Sequence, residues 1–355
     1  MKPTDKNNNP ARMTILVFCP NWVGDVVMAT PVFDCLRRNF PEAGIFGVIR
    51  RYAAGVVKDG PWFDGIIELE DKSTGGFIRS VKFLRSLRPD MAIVLPNSFR
   101  SSLLALLSGA SKRYGYKRDL RSLLLSGGPR PVMDEKGIKP VPMADYYMAV
   151  CHHLGLAPSS SLKPQLFFSE DVRKKGDGLF DGYGIRPGEM VIGINPGAKF
   201  GASKCWPAEN FARLAERVSE KWNCRILLLV GPGEDEIAAS ILASTRAAII
   251  DTGPDRVDLS LLKYVISRLD LLITNDTGPR HYGVAFDIPT VVIMGPTNPD
   301  YTAANLERTV VLRKDLDCSP CHEKQCPLGH HQCMTLITPE EVLDASVRLL
   351  AQTHK

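Results

Sequence analysis

No apolar run in this sequence approaches the roughly 18 residues that a membrane-spanning helix needs. The longest candidates, RILLLVG and TVVIMG, have strand length. The opening segment MKPTDKNNNPAR lacks the apolar core of a signal peptide, and residues 1–12 are expected to form a disordered tail. No GxGxxG follows any apolar run, which removes the fingerprint on which a nicotinamide-dependent dehydrogenase would rest. Charge of neither sign dominates. The 44 Lys and Arg against 39 Asp and Glu leave +5, too small an excess to indicate nucleic acid. That balance suits anionic substrates or an anionic membrane surface. These absences point to a globular cytoplasmic protein with reduced cysteines, in peripheral contact with a membrane at most.

What is present is an alternation. In the first half, short continuous apolar runs (Met13–Cys19, Ile45–Arg50, Gly65–Leu69, Met91–Leu95) alternate with amphipathic stretches such as Val26–Asn39 and Gly76–Leu87. The second half repeats the pattern. Its strands are expected at Met190–Asn195, Arg225–Val230, Ala248–Ile250, Leu271–Asn275 and Thr290–Met294. Its helices are expected at Ala208–Lys221, Glu234–Ala243, Leu259–Arg268 and Pro279–Phe286. Continuously apolar strands alternating with helices imply a parallel sheet covered on both faces. The expected fold is therefore α/β, with two doubly wound Rossmann-like domains at residues 13–168 and 190–337. The Gly- and charge-rich stretch 169–189 is expected as a linker, and a last helix as the closing segment 338–355. Ligands of such sheets bind beyond the carboxyl ends of the strands, where every distinctive motif falls.

Three motifs occupy strand ends. In NWVGDVVMAT (Asn21 to Thr30), Asp25 reads either as a first-turn acid suited to the helix dipole or as a carboxylate at the mouth of a cleft, able to accept a proton. A carboxylate is a poor neighbour for phosphate, so this loop fits a neutral hydroxyl better. NPGAKFGASKCWP (Asn195 to Pro207) joins Gly197 and Gly201 to Lys199 and Lys204. It reads as a phosphate cradle, or else as a solvated loop. TNDTGPRHYG (Thr274 to Gly283) opens a helix at Asp276, Thr277 and Gly278, where free N–H groups suit a diphosphate. His281 lies in its first turn, and GPTNP (Gly295 to Pro299) follows the next strand.

Two segments stand apart. Cys318, Cys321, Cys326 and Cys333 are spaced C-x2-C-x4-C-x6-C with His322, His330 and His331 between them. Four close thiols in a reduced compartment suggest a structural zinc site; disulfides and an iron–sulfur cluster are the alternatives. The stretch Ser111–Ser122 carries Lys112, Arg113, Lys117, Arg118 and Arg121 against one Asp. It reads as a solvated loop or as a landing site for an anionic acceptor or lipid headgroups. Arg100, in PNSFRSS, lies at another strand end.

Taken in order, ILVFCPNWVGDVVMATPVFDCLRRNFP, PNSFRSS, INPGAKFGASKCWPAENFARLA, TNDTGPRHYGVAF and VVIMGPTNPD resemble the bacterial lipopolysaccharide heptosyltransferases, a glycosyltransferase family, over about Met13 to Asp300. The resemblance is nearest to those members that add the second inner-core heptose. It implies a GT-B fold and inverting transfer of L-glycero-D-manno-heptose from ADP-heptose to the first heptose of a lipid A-inner core acceptor, with no metal required. It further implies an N-terminal acceptor domain, to which Asn21, Trp22, Gly24, Arg100 and Arg118 are assigned. By match to the family's motifs, Asp25 is the general base and Lys204 the cation at the leaving group. Lys199, Gly201, Asp276, Thr277, Gly278 and His281 form the donor site in the C-terminal domain. The same donor with another acceptor, and a nucleotide-sugar-binding module without turnover, are the alternatives. Arg280 departs from the pattern, standing where many relatives carry an apolar residue, often Met.

Overall fold

The computed structural model describes residues 12–70, 73–135, 137–158 and 161–353. Apart from Arg12, the expected N-terminal tail lies outside these residues. The first half runs β1 (Thr14–Phe18), α1 (Val23–Met28), α2 (Thr30–Asn39), β2 (Gly44–Arg50), α3 (Ala54–Val57), β3 (Gly65–Leu69), α4 (Thr74–Ser86), β4 (Met91–Val94), α5 (Phe99–Leu107) and β5 (Lys112–Gly115). A two-stranded hairpin, β6 (Met133–Asp134) and β7 (Gly137–Ile138), and α6 (Met143–His153) complete it. Then follow α7 (Glu170–Gly182), β8 (Met190–Asn195), α8 (Ala208–Lys221), β9 (Cys224–Leu228), α9 (Asp235–Ala243), β10 (Ile249–Asp251) and α10 (Leu261–Ser267). The chain ends with β11 (Leu271–Asn275), α11 (Gly278–Ala285), β12 (Thr290–Ile293), β13 (Thr309–Leu312), α12 (Gln332–Thr335) and α13 (Pro339–Thr353).

The large sheets are parallel, ordered β3-β2-β1-β4-β5 and β10-β9-β8-β11-β12-β13. This is the doubly wound pattern, which switches direction beside β1 and again beside β8. The inner strands β1, β4, β11 and β12 are buried on both faces, with successive residues pointing opposite ways. Ile15, Val17 and Ile93 join one apolar cluster, Leu16, Phe18 and Val94 another. The cluster holding Ile15 also takes in Val191, Leu227 and Leu272 of the second sheet, so one core runs from sheet to sheet. This is the expected α/β, GT-B arrangement.

Four local expectations change. The helix expected over Val26–Asn39 breaks at Ala29, because Pro31 has no N–H to offer the preceding turn. The hydroxyl of Thr30 donates to the carbonyl of Val27 instead, at 2.8 Å. The stretch expected as a linker is helical over Glu170–Gly182, capped by Ser169. It packs against α10, with Gly176 under the Tyr264 ring. The basic stretch begins as β5, and Arg121 turns inward, donating to the carbonyls of Pro96 and Val94 and to Asn97. Finally, β13 extends the second sheet where no strand was expected.

Candidate active site

The loops after β1 and β11, each at the carboxyl end of a central strand, lead into α1 and α11, and these two helices pack directly on one another. The contact is close because glycines lie in it. A Cβ on Gly24 would stand 2.6 Å from the His281 ring, and one on Gly278 would stand 2.9 Å from Val23. Glycine here permits an approach that any side chain would block. The helices bring Asp25 from one half of the chain to Lys204 and Asp276 from the other.

Asp25 lies in the first turn of α1 but caps nothing. Burial raises its carboxyl from the ordinary range to about 6, opposed by the charge of Lys204 and by a hydrogen bond from Tyr147. Desolvation dominates, as it does for carboxyls held out of water. A carboxylate with a pKa near 6 is ionised at neutral pH yet remains an effective proton acceptor.

Asp276 is a hub. Its backbone N–H donates to Ile293, fixing it to the end of β12. Lys204 Nζ donates to Oδ2 at 2.6 Å and to its main-chain oxygen at 2.9 Å. Thr297 Oγ1 donates to Oδ2 at 2.7 Å, and Arg280 Nη1 to Oδ1 at 2.7 Å. Burial alone would raise this carboxyl; the two cations and these bonds overcome it and hold it well below the carboxylate range. His281 is pushed down to about 3, first by burial and then by Arg280, and is neutral at physiological pH.

Lys204 is positioned by clamps on both sides. Asn275 donates to the carbonyl of Pro196 and accepts from the N–H of Trp206, pinning the two ends of the loop. Trp206 is buried and donates to the carbonyl of Ile337. The cysteine segment braces the middle. Ser203 N–H donates to Lys324 at 3.1 Å, Ser203 Oγ to Glu323 at 2.5 Å, and His331 Nε2 lies 2.9 Å from the Ser203 carbonyl. Gly201 serves this brace, since a Cβ there would stand 2.4 Å from the Lys324 carbonyl. Burial raises the Glu234 carboxyl, and Lys199 lies close enough to oppose that rise together with the Gly231 N–H. Thr277 is the residue before α11 and makes no side-chain cap.

The residues assigned to the acceptor scatter more widely. Gly24 is in the helix contact, and Trp22 beside it is exposed. Asn21 accepts from Arg50 through its side chain and from Tyr52 through its carbonyl. Arg100 lies over the Phe77 ring at 4.6 Å. Arg118 pairs with Asp119 and bonds Tyr146, which stacks on Tyr116 and precedes Tyr147. Of the five cations in the basic stretch, Arg121 is buried, and Arg113 holds the carbonyls of Leu124 and Ala110. The landing-site reading therefore loses two of its charges. Sequence reasoning missed Tyr147, which lies far along the chain with no motif around it, and the ion pair of Arg280.

Cys318, Cys321, Cys326 and Cys333 line one small cavity with His330 and His331. No disulfide links them. Their charges act on Cys333, whose thiol burial pushes up. Thiolates are the donors zinc favours, but among the described residues no three Cys, His, Asp or Glu side chains stand in a geometry ready to hold a metal ion.

The family model described as glycosyltransferase family 9 (heptosyltransferase) matches residues 78–332. The lipooligosaccharide heptosyltransferase 2 of Campylobacter jejuni is 25% identical over 96% of this chain and 100% of its own length. The lipopolysaccharide heptosyltransferase 2 of Escherichia coli is 28% identical over 96% of this chain and 99% of its own. The solved structure of the E. coli ADP-heptose LPS heptosyltransferase II superposes with a TM-score of 0.80 at 28% identity, over 97% of this chain and 100% of that one.

Proposed function

The chain belongs to glycosyltransferase family 9, and from that premise we propose that it transfers a heptose from ADP-heptose to the first heptose of the lipopolysaccharide inner core. The observation that carries this reading is Asp25, a half-buried carboxyl at the junction of the two halves, raised by desolvation and across from the cation Lys204. Relatives named heptosyltransferase 2 match over nearly the whole chain, which supports the acceptor.

Asp25 takes the proton of the acceptor hydroxyl as its oxygen bonds to the anomeric carbon. The bond from that carbon to the β-phosphate oxygen breaks, and ADP leaves with the electron pair. One displacement inverts the centre. Lys204 and the N–H groups opening α11 meet the charge that grows on the leaving diphosphate. The first half of the chain, residues 13–168, holds the acceptor, and the second holds the nucleotide sugar. Among the described residues no helix is long and apolar enough to cross a membrane. We place the enzyme at the cytoplasmic face of the inner membrane, where its acceptor glycolipid is anchored, in peripheral contact. Lys112 and Lys117 remain in the basic stretch to meet that anionic surface, Arg118 being paired with Asp119.

The test is ADP release from ADP-heptose with purified glycolipids ending in Kdo or in one heptose. Release with the one-heptose acceptor alone supports the reading. Release with the Kdo-terminated acceptor alone moves the enzyme to the first heptose, and release with neither overturns donor and acceptor together.

We also propose that the four thiols take a structural zinc. The shared cavity and the thiolate chemistry support it; the ion would draw the side chains together and stiffen the segment that braces Ser203. Less than about half an equivalent of metal on protein purified reduced and without oxygen overturns this, since thiolate zinc sites bind tightly at neutral pH.

A further inference from the structure

Arg280 is a second cation on a carboxylate that already has one. Its side chain is 1% exposed. Nη1 donates to Asp276 Oδ1 and, at 3.1 Å, to Thr302 Oγ1. Its Nε is buried without a partner. Burying a guanidinium with one N–H unmet is costly, so Asp276 is the reason it can sit there. Yet Lys204 alone would neutralise Asp276.

The two cations differ in what they are free to do. Arg280 is rooted in α11, bonded on one nitrogen to two oxygens, and lines a small cavity together with Met28, Met143 and Tyr301. Lys204 sits in a loop, reaches Asp276 at the end of a flexible stem, and has the Phe200 ring beside it at 5.2 Å. Two of its three N–H donors are held by oxygens of Asp276, so most of its hydrogen-bonding capacity reaches a diphosphate only when it moves away. Were Arg280 absent, its departure would leave a buried carboxylate with no cation, which is strongly unfavourable.

We propose that Arg280 is a positioning residue for the transfer: it keeps Asp276 ionised and in place, so that Lys204 can leave it for the diphosphate of the donor. This rests on the glycosyl-transfer reading above. Arg280 acts through Asp276 and touches no reacting atom.

The test is calorimetric binding of ADP to the full chain at pH 7, in two buffers of different ionisation enthalpy, which yields both affinity and protons taken up. Arg280→Met is expected to bind ADP about a hundredfold more weakly or worse, the scale of one uncompensated buried charge. It is also expected to take up close to one proton more than the wild type, because Asp276 must be neutral once Lys204 leaves. Arg280→Lys is expected to recover affinity and to lose the extra proton. Unchanged ADP binding in Arg280→Met overturns the proposal, as does weaker binding without extra proton uptake, since a packing role would give that result. Should Arg280→Met fail to fold, Thr302→Val removes one of the two acceptors of Nη1. A smaller loss with proton uptake of the same sign supports the proposal, and no change overturns it. A wild type that binds no ADP overturns the donor reading itself, whereas wild-type binding with unaltered variants overturns only the role of Arg280.

Discussion

A carboxyl raised to about 6 makes Asp25 the residue whose titration is easiest to read. The base must be ionised to accept a proton, so kcat/KM is expected to rise about tenfold per unit as pH climbs toward 6 and to level off above it. A steady-state pH profile checks this, and a flat profile between pH 5 and 7 removes Asp25 from the chemistry. Asp25→Asn is expected to lose about 10²–10⁴-fold in kcat while still binding ADP. The same substitution acts oppositely on stability. The folded state holds the proton more tightly than the unfolded chain, so wild-type stability falls as pH rises from 3.8 through about 6. Asp25→Asn carries no such loss and is expected to be more stable at pH 8 by about 1–3 kcal/mol, measurable in urea. Lys204→Ala is expected to lower kcat by about 10²–10³-fold, the cost of removing one preorganised partner of a developing anion. A variant that raised KM alone would instead place Lys204 in ground-state binding.

The helices α1 and α11 decide whether these residues meet. Their contact depends on Gly24 facing His281 and Gly278 facing Val23. The His281 ring is buried beside Arg280. Gly24→Ala is therefore expected to cost about 1–3 kcal/mol, the usual price of overpacking. It is also expected to lower kcat/KM more than tenfold, because it separates Asp25 from Lys204. Urea denaturation and kinetics on the same preparation check both effects. Wild-type activity in Gly24→Ala would mean that the helices separate during turnover, with their contact unneeded.

Across the whole molecule the halves are joined by a continuous apolar core and by a buried cation. Lys263 of α10 reaches into the first half, donating to the carbonyl of Lys58 and lying 3.7 Å from Asp59. Burial lowers its amine to about 8. Between pH 8 and the unfolded value of 10.5, the unfolded chain binds the extra proton, so stability gains with pH over that window. Measured against Lys263→Met, the wild type is expected to gain as pH rises from 8 to 10.5. A stability difference that stays constant over this range would show that Lys263 is solvated.

The sequence by itself determined the two parallel sheets, because continuously apolar runs of strand length bury both faces whatever surrounds them. It also determined that Asp25, Lys204 and Asp276 would lie at strand ends, because motif and strand are contiguous in the chain. Tertiary structure alone decided the rest. Stretch 169–189 reads as a linker from its glycines, yet it is helical because Gly176 lets α7 lie under Tyr264. Arg121 reads as surface charge, yet it is buried because the carbonyls of Val94 and Pro96 at the end of β4 require donors. Tyr147 meets Asp25, and Arg280 shares Asp276 with Lys204, through approaches between residues distant in the chain. Hydrogen bonds and ion pairs of that kind depend on distances that local residue patterns do not encode.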